Sequence, residues 1–457
     1  MTRRLRHFAV PLFLLLCLLL GGSGQGVWRN LALQLCGLAL IGWALLARSR
    51  SLPTAAARAL PVFAGLWLLL LVVQLVPLPP GLWSQFPGRG IVVESFALRG
   101  QPLPWLPLSL APAATAAALP AIAVFAGMVA ALVWLGAYRA RWVIGALMAG
   151  TFVSVTLGAL QLVQGGPYLY PIANFGAAAG LFANSNHQAT LLLATIPFLA
   201  AAVGRELGRG KTRSSKGLSR ILIASGALAV VLVGLALNGS MAALLLVVPV
   251  TLASLAIAVP RMSRFGGSLA GVAVVILLAA IAAIALISDP SSASTSLSSR
   301  TDIYARTLQA IADTMPMGTG IGTFESYYPL YEDPGAADAF YVNHAHSDPL
   351  EWLLETGLAG GLLMLAFLLW WMRQSIRIWA HEQREPMALA GTIASAAILA
   401  HSLVDFPLRT SAIQAVFAIS LAFMVEPRSH STRRQRDDGR RSVRHLSLDD
   451  DDAAVSE

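Results

Sequence analysis

From Phe8 to Val425 the chain is a succession of nearly uncharged apolar runs, many of roughly 20 residues, the length a helix needs to cross a bilayer. Inside lipid every backbone N–H and C=O must be satisfied within the protein, so only helices and closed barrels can span. Continuous rather than alternating hydrophobicity selects helices. The runs cover residues 8–22, 27–47, 59–76, 113–136, 142–163, 186–204, 221–237, 241–259, 267–287, 351–372, 387–404 and 410–425. The expected fold is an all-α integral membrane protein of about twelve transmembrane helices. Only 12% of residues are charged, against about one quarter in soluble domains, so no separate soluble domain of ordinary size is required.

Orientation follows from the basic residues. With a cytoplasmic N-terminus, 26 of the 32 Lys and Arg fall in cytoplasmic segments, as the positive-inside rule demands. The net charge of +9 is therefore a topology signal, and nucleic acid is not an expected partner. Arg3, Arg4 and Arg6 ahead of an apolar run look like a signal peptide, but no convincing small-residue cleavage site follows, and a retained first span is expected. Cys17 and Cys36 lie inside apolar runs and read as filler. The segment after Val425 turns basic, then acidic from Asp449 to Asp452, without apolar periodicity, and reads as a disordered cytoplasmic tail. The expected division is an N-terminal hairpin (1–58), a transmembrane core (59–287), a large periplasmic loop between helices 9 and 10 (288–350), C-terminal transmembrane helices (351–425) and the tail (426–457).

That loop carries the polar interest. In residues 300–315, Ile303, Leu308, Ile311 and Met315 recur at near-helical spacing, predicting an amphipathic helix on the membrane surface, capped by Ser298 or Ser299 and stopped before Pro316. It holds Arg300 and Arg306, two of the six basic residues expected on the outer side. Either can anchor the helix or meet an anionic substrate. Gly318, Gly320 and Gly322 follow, a flexible turn or a backbone nest for an anion. Tyr327 and Tyr328 belong to an aromatic stretch suited to the interface or to sugar faces. From Asn343 to Trp352 the chain reads as a helix start, with Asp348 at N-cap, Pro349 at N1 and Glu351 at N3. His346 precedes that N-terminus, where a phosphate or diphosphate is favoured and an imidazole can act as a general base. The alternatives are an interfacial histidine or, with His344, half a metal site, for which no further ligand cluster of suitable spacing is visible.

The stretch around His346 resembles the O-antigen ligase and polymerase family of bacterial envelope proteins. His346 and Ser347, then Gly357 after nine residues and Gly360 after two more, match the family pattern H-[NSQ]-x9-G-x-x-[GTY]. The glycine turn from Gly318 to Phe324, the F-x-N-x-N element at Phe182, Asn184 and Asn186, and the ending from His401 to Arg409 stand in the family's order, so the resemblance covers roughly residues 60–425. It implies a metal-independent, inverting glycosyltransferase without cofactor. The implied donor is an undecaprenyl-diphosphate-linked glycan, used on the periplasmic side of the bacterial inner membrane. The implied acceptor is lipid A core, a growing polysaccharide or a protein. His346 and Arg300 are then the expected catalytic residues. Arg306, Arg409, Gly318, Gly320, Gly322, Tyr327, Tyr328 and Asn343 are the expected substrate contacts, with Asp405 able to pair Arg409 instead. The chain departs from the family at Asn238 to Met241, where a Ser-Arg-Gly-like element is common. The rival reading is a transporter or lipid-linked glycan flippase. Against it stand apolar runs almost free of charge and no apparent internal repeat.

Overall fold

The apolar runs form helices. In a computed structural model, which describes residues 6–24, 27–47, 54–208, 215–258, 290–333, 341–381 and 385–425, they are α1 (Ala9–Leu20), α2 (Val27–Leu46), α3 (Ala55–Gln74), α4 (Pro112–Trp134), α5 (Ala140–Gln164), α6 (Ser185–Gly208), α7 (Ser215–Asn238), α8 (Met241–Ala258), α10 (Asp348–Ala380), α11 (Pro386–His401) and α12 (Ser411–Val425). The polar helix α9 (Pro290–Thr314) lies between α8 and α10. Among the described residues seven helices are long and apolar enough to cross a membrane, namely α2 to α6, α8 and α10, and four shorter apolar ones accompany them. The expected span at 267–287 lies outside the described residues. The chain divides into Met1–Val425, which holds every described element, and Glu426–Glu457, which contains the expected tail and also lies outside them.

Burial sorts the helices into centre and rim. In α6 83% of the apolar window is buried, against 17% in each of α2 and α3, so α6 is the axis of the bundle. It packs on α5, α7, α8 and α11. On the rim, Leu35, Leu38, Leu66, Leu69, Val72, Leu362, Leu365, Leu369 and Ile376 are exposed. So much outward apolar surface is unfavourable in water and suits hydrocarbon. Where helices approach most closely, glycine makes the room: a side chain at Gly127 of α4 would meet the Gly37 backbone of α2 at 2.6 Å.

Sheet is limited to a clasp among the described residues, Pro77 and Leu78 paired antiparallel with Pro107 and Leu106 at the base of the α3–α4 connection. Backbone hydrogen bonds tie connections together at that end of the bundle. Ala183 and Ala412 donate to Gly22 and Gly21, joining the α5–α6 connection and the start of α12 to the α1–α2 connection. Leu110 of the α3–α4 connection donates to Thr319, between α9 and α10, and the Asp348 N–H of α10 donates to Ser402 and Asp405 of the α11–α12 connection.

Candidate active site

Helix α9 packs by one face, Ile303, Thr307, Ala310, Ile311 and Thr314, against Phe324, Tyr327, Tyr328 and Leu354, a small core separate from that of the bundle. This corrects the expected stripe, because Leu308 is 53% exposed. The expected start is also corrected: the helix already runs at Pro290, so Ser298 and Ser299 lie within it rather than capping it. Arg306 donates from Nη1 to the Tyr331 carbonyl at 2.7 Å, which fastens the aromatic stretch. Tyr327 and Tyr328 are buried, and Tyr328 stacks on Phe324 with centroids 4.9 Å apart. One turn after Arg300, Tyr304 donates its hydroxyl to the backbone carbonyl of His346 at 2.9 Å, bringing the arginine-bearing helix to the histidine.

The glycine turn is docked on α10 through its own backbone. Gly318, Gly320 and Gly322 have φ of 73°, 111° and 83°, a region glycine enters without a steric penalty. The Gly322 N–H donates to Glu355 Oε1 at 2.8 Å, while the N–H groups of Thr319 and Gly320 donate to the carbonyls of Leu354 and Glu355, both at 2.9 Å. Gln74, at the end of α3, donates to the Glu355 carbonyl at 2.9 Å and accepts from the Ile321 N–H at 3.0 Å. Arg89, which the sequence reading passed over, is buried behind the turn. Its Nη2 donates to the carbonyls of Leu108 and, at 3.1 Å, Gly318, and burial pulls its guanidinium down to about 10.

Helix α10 opens on Ser347 in extended conformation, so Asp348 is its first residue rather than its N-cap. The Asp348 carboxylate instead accepts from Ser402 Oγ at 2.8 Å and from the Leu408 N–H at 3.3 Å. Asp348, Glu351 and Glu355 stand three and four residues apart, hence on one face, and all three converge on Arg409. Its Nη2 lies 3.1 Å from Glu351 Oε1 and 3.1 Å from Glu355 Oε2, and its Nε 3.8 Å from Asp348 Oδ1. The expected partnership of Arg409 with Asp405 is therefore corrected. The carboxylates hold Arg409 well above the ordinary arginine range against the opposing effect of burial. The positive end of α10, read from the sequence as favouring a phosphate, is already compensated by its own carboxylates.

Asp405 faces histidines. Its Oδ1 lies 3.6 Å from His346 Nδ1 and its Oδ2 3.9 Å from His187 Nε2, while His401, hydrogen-bonded through Nδ1 to Thr190 at 2.8 Å, acts on it electrostatically. His346 is the one non-glycine residue with positive φ among the described residues, at 50°. Such strain collects at functional positions. Its side chain is 28% exposed. Two residues earlier, His344 makes a closed pair: Nδ1 is 2.9 Å from Glu351 Oε1, while Glu351 Oε2 accepts the Ala345 N–H at 2.9 Å. The rings of His344, His346 and His187 all lie against Phe406, at 4.1, 5.3 and 4.9 Å between centroids. Asn343 is half-buried next to His344. The arrangement presents two imidazoles, each with a buried carboxylate behind Nδ1, beside a helix that carries Arg300.

Burial alone would raise the Asp405 carboxyl, but the facing imidazoles outweigh it and hold it at about 2, below its ordinary 3.8. A carboxyl held below its ordinary value contributes stability that is present above that value and lost as pH falls through about 2. Thermal unfolding in detergent between pH 5 and 2 is expected to show a smaller acid destabilisation in Asp405→Asn than in the parent. Identical pH dependence in the two proteins would refute the assignment.

Met241 is exposed at the start of α8. Next to it, Asn238 donates to the carbonyls of Ala178 and Ser185, both at 2.8 Å, and Gly239 has φ of 72°. Asn184 explains part of the F-x-N-x-N element, its side chain accepting the Asn186 N–H at 2.8 Å where α6 begins. The sequence reading missed the roles of Glu351 and Glu355, although their spacing from Asp348 was visible. It also missed His187 and His401, which only packing brings to Asp405. No curated protein matches the chain. Residues 226–365, from within α7 past the start of α10, match the family model described as O-Antigen ligase. They include Arg300, the glycine turn and His346, so the family that this chain resembles, by motif and by matched region alike, is that of the O-antigen ligases.

Proposed function

We propose that the protein is a membrane glycosyltransferase of the O-antigen ligase or polysaccharide polymerase kind, moving a glycan from undecaprenyl diphosphate to a hydroxyl of lipid A core, a growing polysaccharide or a protein. On this reading it has twelve spans in the bacterial inner membrane, both termini in the cytoplasm, and a reaction on the periplasmic side that inverts the anomeric carbon without metal or cofactor. The observation that carries it is the meeting of His346 with the helix of Arg300: Tyr304 binds the His346 carbonyl, Asp405 stands behind the His346 ring, and the imidazole is partly open. The acceptor oxygen attacks the anomeric carbon as the bond to phosphate breaks, and the electron pair leaves with the diphosphate. His346 engages the acceptor hydroxyl, and Arg300 offsets charge on the departing diphosphate. Arg306, Arg409, Tyr327, Tyr328, Asn343 and the three glycines act here mainly by shaping the walls, since Arg306 and Arg409 and the Gly320 and Gly322 N–H groups are engaged within the protein.

The test is deletion of the gene in its host and complementation with wild type, His346→Ala and Arg300→Ala, followed by analysis of surface and lipid-linked glycans. Wild type is expected to restore transfer and both variants to fail while inserting normally. Lipid-linked polymer accumulating unattached identifies a ligase, and single units attached without long chains identify a polymerase. Normal attachment by His346→Ala would refute the proposal. So would a deletion that traps lipid-linked glycan in the cytoplasmic leaflet, the outcome for a flippase.

A further inference from the structure

Of the two partly exposed imidazoles at Phe406, the better-built base is not the one in the family pattern. The His344 ring is hydrogen-bonded through Nδ1 to a carboxylate that is itself fixed: Glu351, 1% exposed, holds the Ala345 N–H with one oxygen and shares the other between His344 and Arg409. A carboxylate on Nδ1 keeps the proton there and leaves the lone pair on Nε2. The His344 side chain is 27% exposed, and its Nε2 makes no hydrogen bond to the described residues. His346 lacks that closure. Its Nδ1 is 3.6 Å from Asp405, beyond hydrogen-bond length, and Asp405 also faces His187.

The surrounding charge points the same way. Glu351, the carboxylate that faces His344, shares its one cation, Arg409, with Asp348 and Glu355. A carboxylate in that place favours positive charge developing on the ring during reaction and disfavours a diphosphate. Arg300, by contrast, belongs to the helix that binds the His346 backbone.

We propose that His344, oriented by Glu351, is a second catalytic residue and takes the proton of the acceptor hydroxyl, while His346 holds that hydroxyl in place. This rests on the glycosyl-transfer reading above. As the acceptor oxygen bonds to the anomeric carbon and the carbon–phosphate-oxygen bond breaks, the electron pair goes to the diphosphate. The proton goes to His344 Nε2 and is released to water when product leaves.

Glutamine separates the two roles, since its amide can hold a hydroxyl but cannot take a proton. The experiment uses full-length protein in detergent, with lipid-linked glycan and the acceptor-bearing fraction extracted from the host's own membranes. His344→Gln is expected to lower kcat roughly 100-fold or more with KM changed less than about threefold. His346→Gln is expected to lose no more than about tenfold in kcat. Free imidazole restores part of the activity of His344→Ala and none of His346→Ala. If His344→Gln does not insert, Glu351→Gln, which keeps an acceptor on Nδ1 but removes the charge, is expected to lower kcat by about tenfold or more. An unchanged kcat in the inserted His344 or Glu351 variant, with His346→Gln inactive, overturns the role of His344 and leaves the transfer reading standing. Full kcat in both histidine variants overturns the transfer reading itself.

Discussion

Arg409→Leu is expected to remove most of the folded protein from the membrane. Arg409 is the cation for Asp348, Glu351 and Glu355, and the latter two side chains are 1% and 0% exposed. Removing one partner of a buried pair leaves uncompensated charge and destabilises by about 3–5 kcal/mol, a large fraction of a typical folding free energy. Here the charges left behind are adjacent on one helix face, which adds repulsion. Thermal unfolding of purified protein, and the amount inserted in the membrane, measure the effect. Adding Glu355→Gln to Arg409→Leu is expected to recover part of the loss, because the two sites are coupled and their effects do not add. An Arg409→Leu protein that inserts and unfolds like the parent would show that the carboxylates do not need the arginine. It would also free Arg409 for the substrate role that its place in the sequence suggests.

The second large effect is expected from Gly357→Ala. Gly357 interrupts α10 with φ of 58° and ψ of −151°, a conformation essentially confined to glycine, which costs other residues about 1–3 kcal/mol. A Cβ there would also collide with the Pro316 carbonyl and lie 2.7 Å from Met317 C and 2.8 Å from Gly318 N. These are backbone atoms that cannot rotate away. The kink exists so that the chain from Pro316 to Gly320 can dock into it: the Leu358 N–H donates to Pro316 and the Thr319 N–H to Leu354, both at 2.9 Å. Pushing that turn outward would release the Glu355 carboxylate from the Gly322 N–H and, through α10, disturb Glu351 and His344. The variant is expected to lose transfer activity and to unfold at lower temperature than the parent. Gly65→Ala, in α3 with open space around its Cβ position, serves as the control and is expected to stay within about 1 kcal/mol of the parent. Equal behaviour of the two variants would contradict a structural role for the kink. Gly360, the other glycine of the pattern, has a related reason: a Cβ there would collide with Thr356 Cβ and lie 2.9 Å from Trp352 Nε1, the indole N–H that its own carbonyl accepts.

What could be read in advance was local in origin. Eleven of the twelve apolar runs coincide with helices among the described residues, because run length and the absence of charge suffice to select a membrane helix, whatever its neighbours. The amphipathic helix after residue 300 was legible from its period, but its inward face was not. Leu308 has the right spacing and is exposed, since burial depends on where Phe324, Tyr327 and Tyr328 stand. The glycine turn shows the same division. Alternating glycines announced a turn with inward N–H groups, but their partners were decided by α10: the Gly320 N–H meets the Glu355 carbonyl and the Gly322 N–H its carboxylate. Arg409 and Asp405, four residues apart, invited a pairing that tertiary structure refused. The break after α11 sends Arg409 to the carboxylates of α10 and Asp405 to His187 and His346. By itself the sequence determined a helical chain with membrane-spanning segments, and it drew attention to the polar loop of residues 288–350, because hydropathy and backbone preference act over one or two turns. Only the tertiary structure decided which carboxylate stands behind which histidine, because charges from α6, α9, α10 and the α11–α12 connection meet through packing that no local pattern encodes.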